Sequence, residues 1–390
     1  MKKLIFTFVF LLCLSVAFGQ NNGKEDLEKL ASTLVNQCAG IEENEIVLIN
    51  GSVRDLELLE NLAVNVRKQG AFPLLTIDSE RMTKRMFFDV PEKYDTQLSL
   101  LNKGLINMMT AQISVSSAET PGLLADVPPE RFATRNKAGK PNADLYRQKQ
   151  IKAISLGNGL YPTKALAEEF GITLDKLTEL FWSGVNIDYN LLNETGKKLE
   201  AKLVGANELK ITHTNGTNFT VKITNCKPII SDGVISEEDF KSGFVGRNVY
   251  LPAGEVYFAP VENTANGKLV FDHQTFMGET IKNLELDFKD GKLVSMKADS
   301  GLDKLKEYYD AQDELIGKFS LIDFGINPNV KIPKGSKFLS YIPAGSVTVG
   351  LGNNLWAGGV NNSISGLNFF MPVSTVTLDG KIIIDKGNLK

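Results

Sequence analysis

Residues 45–78 decide what this chain can fold into. "EIVLINGS" is a short apolar run ending in a turn, "VRDLELLENLAVNVRKQG" carries apolar residues at helical spacing, and "AFPLLTID" is a second apolar run. Gly70 stands where such a helix takes its left-handed C-terminal residue. Strand, helix and strand at this spacing make a βαβ unit, which calls for a parallel sheet with helices packed on it. An amphipathic helix over "KEDLEKLASTLVNQCAGI" precedes the unit, and "GLINMMTAQISVSS" and "KAISLGNGLYPT" continue the alternation. "TKALAEEFGITLDKLTELFWSGVNID" reads as two helices split at Gly171, with Thr173 placed to cap the second.

The texture changes near residue 205. "ELKITHTNGTNFTVKITN" alternates with period two around Asn215-Gly216, and "KNLELDFKDGKLVSMKAD" does so around Asp290-Gly291, so both read as hairpins. Short strands continue to the end, interrupted by a helix over "GLDKLKEYYDAQDELIG". The fold class that follows is an α/β N-terminal domain with a parallel sheet, residues 20–205, and a β-rich (α+β) C-terminal domain, residues 206–390.

"MKKLIFTFVFLLCLSVAFGQ" places two lysines before an apolar run and small residues at Ala17 and Gly19. That pattern is a secretory signal peptide over residues 1–19, cleaved near Gln20, and it predicts an exported protein, periplasmic or secreted. Cys13 lacks the small upstream residues of a lipid-attachment site, and no other stretch is apolar enough to span a bilayer. An oxidising compartment permits a Cys38–Cys226 bridge, but residues so distant in sequence need not meet. A net charge of -3 gives no basic field for nucleic acid.

General catalytic signatures are missing. "LGNGLYPT" has two glycines and no third, so it is a loop rather than a dinucleotide cradle. There is no P-loop, no GxSxG elbow and no Cys–His nucleophile pair. The chain has 2 histidines. His213 falls in the first hairpin on a threonine-rich face, and His273 follows Asp272 as either a strand-end surface residue or a ligand. Glu255, in "LPAGEVYFAP", is a lone charge between a Pro-Ala-Gly turn and an apolar strand. A glutamate after glycine can simply accept from turn amides; its surroundings decide whether it does more.

With those surroundings, "LPAGEVYFAPVENTANG" resembles the glutamate-bearing signature of the M29 metallo-aminopeptidases, the thermophilic or leucyl aminopeptidase group. Leu251, Pro252, Gly254, Glu255, Val256, Ala259, Pro260, Asn266 and Gly267 match it. "YPTKALAEEFGITLDKLTELFWSGVNID" is similar to a helical segment of that family, "ANELKITHTNGTNFTVKI" to its Gly-Thr-Asp hairpin with Asn218 for the Asp, and "PAGSVTVGLGNNLWAGGVNNSISGLNFF" to its C-terminal ligand-bearing region. The resemblance implies a homodimer, and a C-terminal domain whose two metals, of the zinc, cobalt or manganese kind, activate a water and anchor the substrate amine. Each metal needs three or more protein ligands, and a close pair needs bridging carboxylates.

The ligand positions depart from the pattern. Glu255 is kept. The second glutamate of the family falls on Lys318, or on Leu321 when aligned from Asn327-Pro328. Thr348 stands for a histidine, and Gly366 and Asn368 stand for a His-x-Asp pair. Hydroxyl and amide oxygens are weak donors for zinc-like metals. The Glu-to-Lys exchange predicts that the Lys318 ammonium replaces a metal and pairs with Glu255. Asp310, Asp313 and Glu314 read as a solvated helix face, while His273 and Asp323 could join Glu255 in a rebuilt single-metal site.

Three readings remain at this point: a non-catalytic M29 homologue with no metal cofactor that binds a peptide, small-molecule or protein partner; an active exported aminopeptidase using an altered divalent-metal site; and an enzyme of another chemistry in the same cleft.

Overall fold

The computed structural model describes residues 26–116, 119–120 and 122–390, so the leader and Cys13 lie outside the described residues. Its strands are β1 (Ile46–Ser52), β2 (Phe72–Asp78), β3 (Ala111–Val115), β4 (Lys152–Leu156), β5 (Glu208–Thr212), β6 (Asn218–Lys222), β7 (Ile229–Ser231), β8 (Asn248–Leu251), β9 (Glu255–Phe258), β10 (Asn266–Phe276), β11 (Glu279–Lys289), β12 (Lys292–Lys297), β13 (Phe319–Gly325), β14 (Val347–Gly352), β15 (Gly366–Met371), β16 (Thr375–Leu378), β17 (Lys381–Asp385) and β18 (Asn388–Leu389). The helices are α1 (Leu27–Ser32), α2 (Leu56–Lys68), α3 (Glu80–Phe88), α4 (Leu100–Met108), α5 (Pro129–Lys149), α6 (Lys164–Phe170), α7 (Leu174–Val185), α8 (Tyr189–Val204), α9 (Glu237–Lys241) and α10 (Asp303–Asp310).

The βαβ unit forms as its pattern requires. β1 pairs in parallel with β2 and with β3, β3 with β4, and β4 with β8, in the order β2-β1-β3-β4-β8. Val47, Ile49, Ile113, Val115, Ile154 and Leu156 turn one face of this sheet into the main core. The remaining strands build two antiparallel sheets, ordered β12-β11-β10-β6-β5-β16-β17-β18 and β15-β14-β13-β9-β7. Asp290 and Gly291, both at positive φ, close the β11–β12 hairpin in two residues, because a right-twisted ribbon favours that turn. Gly171 ends α6 in the left-handed region, and the Thr173 hydroxyl caps α7 by accepting from the Lys176 amide at 3.2 Å.

Two features differ from the sequence reading, and a third answers a question it leaves open. The parallel sheet does not end at residue 205: β8 supplies its fifth strand, because Val249 and Leu251 fill the same apolar face as Ile154 and Leu156. The helix expected over residues 301–317 stops at Asp310 and is followed by a separate short 3-10 turn, Glu314–Gly317. Cys38 and Cys226 are free thiols. Cys38 is buried, and burial pushes its thiol up to about 12.

Only three residues, Pro252 to Gly254, lie between the end of β8 and the start of β9, so the chain passes directly from the parallel sheet into the five-stranded antiparallel one. Gly254 makes this passage at φ 127°, and a side chain there would lie 2.7 Å from the Asn327 Cβ and 2.9 Å from its backbone nitrogen. Gly254→Ala is therefore expected to destabilise the protein by about 3 kcal/mol, strain and collision together. Gly380→Ala, at φ 82° with open space around it, is expected to cost about 1 kcal/mol. Urea unfolding of the two variants checks the difference.

Candidate functional site

The register of the β15-β14-β13-β9-β7 sheet sets which side chains meet. Residues directly opposite one another share a face. Ser231, Glu255 and Gly325 form one row across this sheet. Ile229, Tyr257, Asp323, Thr348 and Phe370 form the next. Leu321, Gly350 and Asn368 form the third, with Gly352 and Gly366 beyond it. The opposite face carries Val256, Phe258, Ile322, Phe324, Val349 and Phe369 into the main core. Four of the positions singled out in the sequence, Glu255, Thr348, Gly366 and Asn368, thus lie on one face, and Asp323 stands among them.

Glu255 and Asp323 are diagonal neighbours on adjacent strands, both nearly inaccessible at 4% and 3% exposure. The Asn158 amide donates to Glu255 Oε1 at 2.7 Å and to the Pro252 carbonyl at 3.0 Å, clasping the turn and the carboxylate together. Asn158 sits at φ 41° in the loop after β4, the "LGNG" stretch. Burial raises the Glu255 pKa and is only partly offset by Asn158. Burial and the nearby Glu255 charge push Asp323 well above the carboxylate range. The pair is thus held protonated in part at neutral pH, since two buried like charges cannot both ionise cheaply.

Three tyrosines surround the pair. Tyr250, Tyr257 and Tyr341 are all shifted upward, first by burial and then by neighbouring charges that include Glu255. Each hydroxyl therefore stays a neutral donor. Tyr257 packs on Trp356 with ring centroids 5.2 Å apart, and Tyr341 accepts from the Asn368 amide at 3.2 Å. Four buried polar atoms on this face have no hydrogen-bond partner among the described residues: Ser231 Oγ, Tyr257 Oη, Asp323 Oδ1 and Thr348 Oγ1. Native proteins rarely leave such atoms unmet.

Lys318 and His273 do not join this cluster. Among the described residues no ion pair links Lys318 to Glu255; the neighbour on that carboxylate is the Asn158 amide. Lys318 lies seven residues from Gly325, the residue opposite Glu255, and so roughly 20 Å along the strand at 3.3 Å per residue. It also lies beyond the bulge between Phe319 and Leu321. Leu321, the other alignment candidate, does face the site, packed with Tyr257 and Ala357. His273 is on β10, pairs with Lys282 in the other antiparallel sheet, and lines a separate space of about 100 Å³ with His213 and Asp272. The next residue, Gln274, bonds the Phe370 backbone of the edge strand β15, two strands from the β13 that carries Asp323. Asp313 caps the turn after α10 and bonds the Ser363 hydroxyl and Ile364 amide, so its role is to tie a loop.

The comparisons with known proteins bear on this geometry. The family model described as thermophilic metalloprotease (M29) matches residues 23–328. The chain belongs to the M29 family. Its match spans Glu255, Lys318 and Asp323 and ends before β14 and β15, which carry Thr348, Gly366 and Asn368. Aminopeptidase 2 of Geobacillus stearothermophilus is 24% identical over 77% of each chain, and aminopeptidase AmpS of Bacillus subtilis is 21% identical over 92% of this chain and 96% of its own. The solved structure of AmpT from Thermus thermophilus superposes with a TM-score of 0.70 at 16% identity, covering 93% of this chain and 98% of that one. 2,5-Dihydroxypyridine dioxygenase of Pseudomonas putida KT2440 superposes with a TM-score of 0.57 at 12% identity, covering 93% of this chain and 96% of that one. The fold is that of the family.

The donor set does not fit the family's two metals. Among the described residues no three His, Cys, Asp or Glu side chains converge closely enough to hold an ion. Glu255 and Asp323 contribute two carboxyls, and Thr348 and Asn368 add weak neutral oxygens, which leaves two dications without enough charge to offset their hydration and mutual repulsion. The sequence reading missed Asn158, Tyr250, Tyr257, Tyr341 and Trp356. An asparagine between two glycines at the carboxyl end of a parallel strand was the available signal, because such loops deliver ligand-facing groups.

The raised carboxyls fix a sign. The folded protein keeps a proton that the unfolded chain releases above the ordinary carboxylate range near pH 4, so folding stability falls as pH rises from about 4 towards neutral. Urea unfolding of wild type, Glu255→Gln and Asp323→Asn across that range is expected to show a smaller fall in both variants; identical slopes would refute the assignment. Asn158→Ala, which removes the donor on Glu255, is expected to cost about 1–3 kcal/mol.

Proposed function

We propose that this protein is an exported, non-catalytic member of the M29 family whose inherited site binds a peptide or small ligand through a primary ammonium group. The supporting observation is the pairing of two buried carboxyls with unmet oxygens and, among the described residues, no cationic side chain bonded to them. An ammonium brings one positive charge and three donors. It would take over the charge that a proton now balances, and Asp323 Oδ1 and Thr348 Oγ1, opposite one another on β13 and β14, are the acceptors waiting for it. Trp356 and Tyr257 offer aromatic faces, which favour cations at close range. Asn368 and Gly366 are exposed at the outer edge of the same face and give the site a side open to solvent.

The reading extends to the chain's setting. Cleavage near Gln20 would release it outside the cytoplasm, and the leader pattern supports this. Among the described residues no helix is long and apolar enough to cross a membrane. A homodimer is carried over from the family and is checked by light scattering on the purified chain.

The experiment compares isoamylamine with isoamyl alcohol, which lacks the ammonium. Calorimetric titration near pH 7 is expected to show saturable binding of the amine, with protons released as it binds, and at least tenfold weaker binding of the alcohol. Glu255→Gln or Asp323→Asn is expected to weaken the amine at least tenfold, the scale of a lost charged hydrogen bond. In parallel, leucine p-nitroanilide with added zinc, cobalt or manganese is expected to give no chelator-sensitive turnover. Stoichiometric tight metal with such turnover would establish the alternative, an active metallo-aminopeptidase with an altered site.

A further inference from the structure

A parallel sheet covered by helices is ordinarily apolar on both faces. Here one face obeys the rule and the other does not. On the face opposite the main core, β1 presents Asn50, β2 presents Thr76, β3 presents Gln112 and Ser114, and β4 presents Ser155, in register across four strands. Helices α4 and α5 roof this polar face without sealing it. Between roof and sheet lies a cavity of about 730 Å³, within the range of small-molecule sites.

The floor of the cavity is a built network. Gln112 Nε2 donates to Asn50 Oδ1 at 3.0 Å and to Ser114 Oγ at 3.1 Å, and Ser114 Oγ donates to Asn50 Oδ1 at 2.7 Å. This leaves Asn50 Nδ2 and Gln112 Oε1 without a protein hydrogen bond among the described residues: one free donor and one free acceptor on neighbouring strands. The walls are largely apolar, formed by Leu105, Ile106, Met109, Tyr146 and Trp356. The charged residues lining it are Asp78 and Arg147, one of each sign, and Arg147 is already paired with Asp144. The roof is pinned in place: the Asn142 amide of α5 donates to the Ser99 carbonyl at the start of α4 at 2.9 Å, and Arg131 and Arg135 of α5 both bond the buried Asp95.

We infer that this cavity is a second ligand site, which takes an uncharged molecule with an apolar body and a carboxamide-like head. A carboxamide offers one acceptor and one donor side by side, matching Asn50 Nδ2 and Gln112 Oε1. A carboxylate would bring a charge to a floor with no counter-ion, and a hydroxyl would satisfy the pair less completely. The apolar body would lie along Leu105, Ile106 and Met109. The cavity shares the Trp356 wall with the Glu255–Asp323 site, but its head-group contacts, Asn50 and Gln112, belong to the parallel sheet alone, and the inference does not depend on the function proposed for that site.

The test uses one body with three heads: hexanamide, hexanoate and 1-hexanol, titrated calorimetrically into the full exported chain. Hexanamide is expected to saturate at one per chain and to bind at least tenfold more tightly than the other two. Gln112→Met keeps the volume and removes the head-group contact; it is expected to weaken hexanamide at least tenfold and leave 1-hexanol unchanged. Ala143→Phe fills the cavity from the roof and is expected to weaken all three, and it carries the test if the floor variant fails to fold by circular dichroism. Equal affinity for the three heads, no saturable hexanamide binding, or binding that survives both variants in folded protein would overturn the inference.

Discussion

Leu251 to Glu255 carry the chain out of one sheet and into another, and the positions of all the site residues follow from how that step is made. Gly254 permits the backbone to pass against Asn327, whose amide donates to the Ala253 carbonyl at 2.6 Å and the Gly184 carbonyl at 3.2 Å. Asn158 holds the other side of the turn through Pro252 and Glu255. These bonds fix the phase of β9. A one-residue slip would send Glu255 and Tyr257 into the apolar core and bring Val256 and Phe258 to the site face. Because β13 and β7 pair with β9, and β14 and β15 follow in order, the phase of this one strand orients the whole face.

The frame of that face is the family's, and its side chains are a donor set poorly matched to two metals. The family match over residues 23–328 and the shared fold stand beside a donor set unsuited to two metals. Such separation is ordinary, since function resides in sites carried by folds. A solved structure makes the same point, since a protein named as a dioxygenase shares this architecture with a chain of the M29 family. Two carboxyls left close together without a cation have two ways to lower their energy, protonation or a positive ligand, and the upward shifts at both groups are the first of these.

Much of the frame could be read from the chain. The βαβ unit, the Gly171 break with its Thr173 cap and the Asp290-Gly291 hairpin depend on neighbours in sequence, and local patterns report them faithfully. α5 was missed because "ERFATRNKAGKPNADLYRQK" has no apolar stripe; tertiary bonds from Arg131, Arg135 and Asn142 hold it instead. At the site, Glu255 and Asp323 were visible as lone charges in apolar strands. Lys318 was misjudged because a bulge and the length of β13 separate it from Glu255, and neither is written in a motif. Whether His273 reaches Glu255 is left open by the sequence, because its neighbours say nothing about which sheet β10 joins. Asn158 and the tyrosines were invisible for a related reason: they come from four different segments brought together by pairings between distant strands.

Trp356 ties the two halves of the molecule into one chemical surface. Its indole packs on Tyr257 and, at 6.4 Å between centroids, on Tyr250, and it also walls the cavity above Asn50 and Gln112. Tyr250 stands opposite Ser155 on β8, so the polar row that begins at Thr76 on β2 runs across the parallel sheet to the tyrosine beside Glu255. A polar row of that length on a helix-covered parallel face has no use in packing, where each such residue would be better replaced by Val, Ile or Leu. Such a row, ending at Tyr250 beside Glu255, argues that this face is shaped by what it contacts in solution rather than by the stability of the fold.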